Sequence, residues 1–127
     1  MEYYENVGTA EAPAFADAVI NPFGIEKMPY AFPDFVDMDN AGDYDMVMGM
    51  YYGNIGFLEN VGTPEAPEFV ELTNIQVNPF GLSSNGGYIA IVDVVDLDGD
   101  GDYDILAGGA YDYYTEDSIL GYFENIG

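Results

Sequence analysis

The chain repeats itself, and the repeat limits its possible folds more than any other feature. Glu5-Asn6-Val7-Gly8-Thr9 returns as Glu59-Asn60-Val61-Gly62-Thr63, and once more as Glu124-Asn125-Ile126-Gly127. Ala12-Pro13-Ala14-Phe15 returns as Ala66-Pro67-Glu68-Phe69, and Asn21-Pro22-Phe23-Gly24 as Asn78-Pro79-Phe80-Gly81. Asp37-Met38-Asp39 through Asp43-Tyr44-Asp45 returns as Asp96-Leu97-Asp98 through Asp102-Tyr103-Asp104. The copies of these four anchors lie 54, 54, 57 and 59 residues apart, in the same order, so they differ only by small loop insertions. A unit of this length is one supersecondary element that buries its apolar face against its neighbours.

The unit reads as four short strands. In the first complete copy they are expected near Phe32–Asp37, Asp45–Met50, Phe57–Asn60 and Glu68–Thr73, separated by Gly, Pro, Asn and Asp as turns require. Twelve Tyr and eight Phe favour half-buried strands, whereas 16 Gly and 7 Pro would repeatedly break a helix. The fold class is therefore all-β. Four strands per unit at this period is the signature of a β-propeller blade, and the chain holds about two of them. We divide the single repeat domain, 1–127, into three parts. Residues 1–31 supply the last two strands of a blade, near Tyr3–Asn6 and Ala14–Val19, plus a connection; 32–81 form a complete blade. Residues 82–127 supply the first three strands of a further blade, ending at Tyr122–Asn125.

Charge narrows the function. Against 24 Asp and Glu stands a single basic residue, Lys27, for a net charge of −23. Nucleic-acid phosphates and anionic lipid heads would repel such a chain, and self-repulsion opposes compaction unless cations offset it. Apolar runs such as Ile89-Ala90-Ile91-Val92 fall far short of the roughly 20 residues that span a bilayer, so no membrane insertion is expected. Met1-Glu2-Tyr3-Tyr4 has no signal-peptide character. Without Cys, no disulfide supports the fold. His, Cys and Arg are all missing, which removes nucleophilic triads and anion clamps, so the chain is not expected to be an enzyme.

The strongest chemistry lies in the loop from Asp96 to Asp104. Asp96, Asp98, Asp100, Asp102 and Asp104 occupy positions 1, 3, 5, 7 and 9, with Gly101 at position 6. Calcium takes six to eight oxygen ligands in flexible geometry, and alternate residues of a curling loop can converge on one ion. Side-chain ligation is expected from Asp96, Asp98, Asp100 and Asp104, with the carbonyl of Asp102 at position 7. The loop from Asp37 to Asp45 carries Asp37, Asp39, Asp43 and Asp45 but has Ala41 at position 5, so a weaker second calcium site is expected. An EF-hand is excluded because position 12 is Ala107 or Met48 in place of Glu. Zinc lacks His and Cys, and magnesium fits such a flexible loop less well.

At these residues the chain resembles the FG-GAP/VCBS repeat family, the calcium-binding propeller blades of integrin-like and secreted microbial proteins. The resemblance rests on Asn-Pro-Phe-Gly, on Phe35-Val36-Asp37 and Val94-Val95-Asp96 leading into the acidic loops, and on Phe-Glu-Asn-x-Gly, and it covers nearly the whole chain. It implies Ca²⁺ at the two loops, an extracellular or cell-surface location, and adhesion, scaffold or carbohydrate-binding roles.

Two partial units at the ends would leave unpaired strand edges, which invite pairing with another copy into a ring or a filament. Self-association is the expected partnership. The alternatives are a carbohydrate- or protein-binding adhesion module, or a fragment of a longer propeller. A sugar could stack on the acidic-aromatic insertion Ala110-Tyr111-Asp112-Tyr113-Tyr114-Thr115-Glu116-Asp117.

Overall fold

A computed structural model describes residues 1–25, 31–70, 75–82, 88–110 and 120–126. Among them there is no helix. Among the described residues nine strands form three antiparallel sheets, and these close no barrel. The N-terminal sheet pairs β1 (Glu2–Tyr3) with β2 (Val19–Ile20). The central sheet has the order β3 (Phe32–Val36), β4 (Asp45–Gly49), β5 (Ile55–Leu58), β6 (Gln76–Val77). The C-terminal sheet is β7 (Ile89–Val95), β8 (Asp104–Ala110), β9 (Leu120–Phe123). Each strand pairs with its neighbour in sequence, as a meander does.

Strand alternation gives the central sheet two buried faces. Val47, Ile55, Phe57 and Val36 face the C-terminal sheet, where they meet Val92, Ile105 and Ala107 in one apolar cluster. Met46, Met48 and Leu58 face the other way and pack with Ile25 and Phe69 in a second cluster. Two backbone hydrogen bonds lock the central and C-terminal sheets together, Ala90 N–H to Met50 O at 2.8 Å and Tyr52 N–H to Tyr88 O at 2.9 Å. A side chain adds a third link: Asp34 Oδ2 accepts from Val94 N–H at 2.9 Å. The close approach explains Gly49, since a Cβ there would lie 2.1 Å from the carbonyl oxygen of Ala90.

The sequence anchors are side-chain clips that recur with equivalent partners in each copy. Asn6 Oδ1 accepts from Gly8 and Ala14 N–H, both at 3.0 Å, and Asn60 Oδ1 accepts from Gly62 and Glu68 N–H at the same distance. Each Asn thus closes its hairpin without a regular ladder. Asn78 Oδ1 accepts from Ile55 N–H at 2.8 Å and its own N–H returns to Ile55 O; Asn21 holds Met1 in the same manner. In both Asn-Pro-Phe-Gly corners Asn, Phe and Gly have positive φ, and the Phe rings make edge-on contacts, Phe23 with Tyr3 and Phe80 with Phe57.

The clips also shift strands from their expected places. The fourth strand of the central sheet is Gln76–Val77; at Glu68–Val70 there is a single bridge, Phe69 to Asn60, and residues 71–74 lie outside the described residues. Asn78 pins Gln76–Val77 to β5, whereas Asn60 draws Glu68 into a hairpin end. The N-terminal pair likewise sits at Glu2–Tyr3 and Val19–Ile20, with one bridge between Asn6 and Phe15. The last strand is Leu120–Phe123, two residues earlier than expected at its start.

Candidate metal centre

Both acidic loops join the first strand of a sheet to the second, β3 to β4 and β7 to β8, and both are wound by their own carboxylates. Asp96 Oδ1 accepts from Gly99 N–H at 2.7 Å and Oδ2 from Gly101 N–H at 3.2 Å. Asp98 Oδ1 then accepts from Asp100 N–H at 3.1 Å, and Asp100 Oδ1 from Asp102 N–H at 3.0 Å. Gly99 and Gly101 have φ of 80° and 103°, so the curl uses left-handed backbone that glycine adopts without strain. This winding gathers one oxygen from each of Asp96, Asp98 and Asp100 within 4.8 Å of one another, Asp96 half-buried and the other two exposed. At that spacing each pair of charges repels by about 1 kcal/mol even in water. Among the described residues there is no Lys or Arg to relieve them, since Lys27 lies outside those residues.

No family model, curated protein or solved structure matches this chain.

Asp102 and Asp104 stand outside the three-carboxylate group. Asp104 is only 1 % exposed, and its two oxygens already serve three donors: Asn125 N–H at 2.9 Å, Leu97 N–H at 3.1 Å and the Tyr122 hydroxyl at 3.0 Å. The N–H of Asn125 first, then those of Leu97 and the Tyr122 hydroxyl, hold its carboxyl below the usual carboxylate range against the opposing effect of burial. Asp45 is its equivalent in the first loop, accepting from Asn60 N–H at 2.9 Å and Met38 N–H at 3.2 Å. Here burial dominates and raises the carboxyl, with the nearby charges of Asp39 and Asp43 adding to it against the N–H groups of Asn60 and Met38; Phe57 stands where the second unit has Tyr122 and supplies no hydroxyl. Asp104 ties the foot of its loop to Tyr122 of β9 and to Asn125 just beyond it, and Asp45 ties its loop to Asn60 just beyond β5.

In the first loop Asp37 Oδ2 accepts from Gly42 N–H and Asp39 Oδ1 from Ala41 N–H, each at 3.0 Å, which copies the winding of the second loop. Asp37, Asp39 and Asp43 do not form a three-carboxylate group among the described residues. One atom nevertheless asks for a partner. Asp37 Oδ1, whose counterpart on Asp96 accepts from Gly99, is buried with no hydrogen bond. A buried carboxylate oxygen without a donor is costly, and a cation is the natural partner for it.

The acidic-aromatic insertion, residues 111–117, lies outside the described residues. Spacing alone does not mark Asp34, Asn60 and Asn78 as clips; their signal in the sequence is the recurrence of Asp34 as Asp93 and of Asn60 and Asn78 within the repeated anchors.

Proposed function

We propose that the chain is a calcium-binding structural module of an extracellular assembly, built from propeller-type blades and without catalytic activity. The observation that carries this reading is the convergence of Asp96, Asp98 and Asp100 within 4.8 Å in a chain of net charge −23. Hard carboxylate oxygens on a curled, glycine-containing loop suit Ca²⁺ better than Mg²⁺, which needs strict octahedral geometry, or Zn²⁺, which prefers N and S donors. Asp96, Asp98 and Asp100 would hold the ion in the second loop. Asp37 and Asp39, with the orphaned oxygen of Asp37, would hold a weaker one in the first. The ion supplies charge neutralisation, and because each loop joins two paired strands, its binding stiffens a sheet edge.

Calorimetric titration with calcium tests the reading. The expected result is one stronger and one weaker binding event, with the stronger weakened about tenfold or more by Asp98→Asn combined with Asp100→Asn. No binding of calcium, or binding that this double variant leaves unchanged, would overturn it.

A further inference from the structure

The outer face of the C-terminal sheet is a copy of a face that is covered elsewhere in the same molecule. Gly49 and Gly108 hold the same place in the two units: Gly49 is paired with Phe32 and Ile55, Gly108 with Ile91 and Leu120. In the central sheet this face is sealed by the C-terminal sheet, leaving Val47 1 %, Ile55 0 % and Phe57 4 % exposed. Their counterparts on the outer face are Leu106, half-buried, Leu120 at 76 % and Tyr122 at 44 %, with Ile91 beside them at 49 %. The glycines sharpen the comparison. A Cβ at Gly49 would strike the backbone of Ala90, whereas one at Gly108 would meet, among the described residues, only Ile91 O at 4.0 Å. Gly108 keeps room for an approaching strand, and within the described residues none approaches. Asp93 sits likewise where Asp34 sits in the central sheet, and Asp34 accepts from a backbone N–H of the covering sheet.

The complementary surface is on the same chain. Pro33 and Phe35 hold the positions of Val92 and Val94, the residues through which the C-terminal sheet packs on the central one. They line a cavity of about 690 Å³, walled also by Tyr3, Phe23, Tyr44 and Phe69, between the N-terminal and central sheets. The N-terminal sheet copies only the third and fourth strands of a unit, Tyr3 holding the place of Phe57 and Val19 that of Gln76. The cavity therefore lies where a first and second strand would stand.

We infer that the outer face of the C-terminal sheet docks into this cavity on a second copy of the chain, head to tail, with Gly108 taking the role of Gly49. The contact is heterologous, so it propagates into a ring or a filament. It specifies the partner and faces of the assembly proposed above and does not depend on the calcium part of that proposal. The docked unit would bring β9 to the place of β1. With two register pairs to β2 against four between β8 and β9, β1 is the strand that yields.

Light scattering over a range of concentrations tests this, in calcium and separately in chelator with enough salt to screen the acidic charge. The wild type is expected to reach masses above one chain in both conditions, so that failure of calcium binding and failure of docking read differently. Gly108→Val and Leu120→Lys are each expected to remain single. Pro33→Lys, on the cavity side, is also expected to remain single, yet an equal mixture of Pro33→Lys and Gly108→Val should stop at two chains, because only one productive interface is left. Unchanged far-ultraviolet circular dichroism certifies each variant, and Leu120→Lys decides if Gly108→Val fails to fold. A wild type that stays single in both conditions, or a folded face variant that associates as the wild type does, would overturn the inference.

Discussion

Gly49→Ala is expected to cost about 4 kcal/mol or more, beyond the roughly 1–3 kcal/mol of ordinary overpacking. The reason is the partner it would strike. The new Cβ would lie 2.1 Å from Ala90 O, 2.4 Å from Ala90 C and 2.9 Å from Ile91 N, all of them backbone. No rotamer relieves such a contact; the C-terminal sheet would have to back away, breaking the bonds from Ala90 to Met50 and from Tyr52 to Tyr88. Against a total stability of about 5–15 kcal/mol, that is a large fraction. Gly108→Ala is the control. It fills open space among the described residues and removes a glycine from a strand interior, so it is expected to be neutral or to stabilise by up to about 1 kcal/mol. Urea unfolding of the two variants at low concentration measures both, and equal losses would contradict the close contact of Gly49 with Ala90.

Asp45→Ala is the second large effect. Asp45 is 1 % exposed, and the variant leaves the amides of Met38 and Asn60 without an acceptor. Each of the two orphaned donors costs about 1–3 kcal/mol, so a loss of about 2–6 kcal/mol is expected. Asp45→Asn should cost less, since one oxygen remains to accept and the charge that burial disfavours is gone. Hydrogen exchange adds a local check. The Asn60 amide should lose its protection in Asp45→Ala even under conditions where β4 stays protected. Retained protection at Asn60 would mean that another acceptor replaces the carboxylate.

These two residues mark where the sequence could and could not be read. The repeat, the all-β class and the strands flanking the first acidic loop follow from spacing and turn chemistry, and β3 and β4 lie where that reasoning puts them. The fourth strand does not, because two-residue strands such as Gln76–Val77 are placed by Asn side chains and not by apolar alternation. Asp45 and Asp104 recur at the ninth loop position, and spacing alone does not show that their buried carboxylates also accept from the backbone N–H groups of Asn60 and Asn125. Gly49 and Gly108 are likewise indistinguishable in sequence, and only the presence or absence of Ala90 against them separates their roles.

The convergence of Asp96, Asp98 and Asp100 matters only if a cation draws those charges into the fold. The direct measurement is the thermal unfolding midpoint in calcium and after complete chelation, at one ionic strength. With calcium at about a hundredfold excess over its dissociation constant, binding adds about 2.7 kcal/mol, or roughly 10 °C for a chain of this length. A midpoint lower by about that much in chelator is the predicted result; superimposable curves would contradict the account.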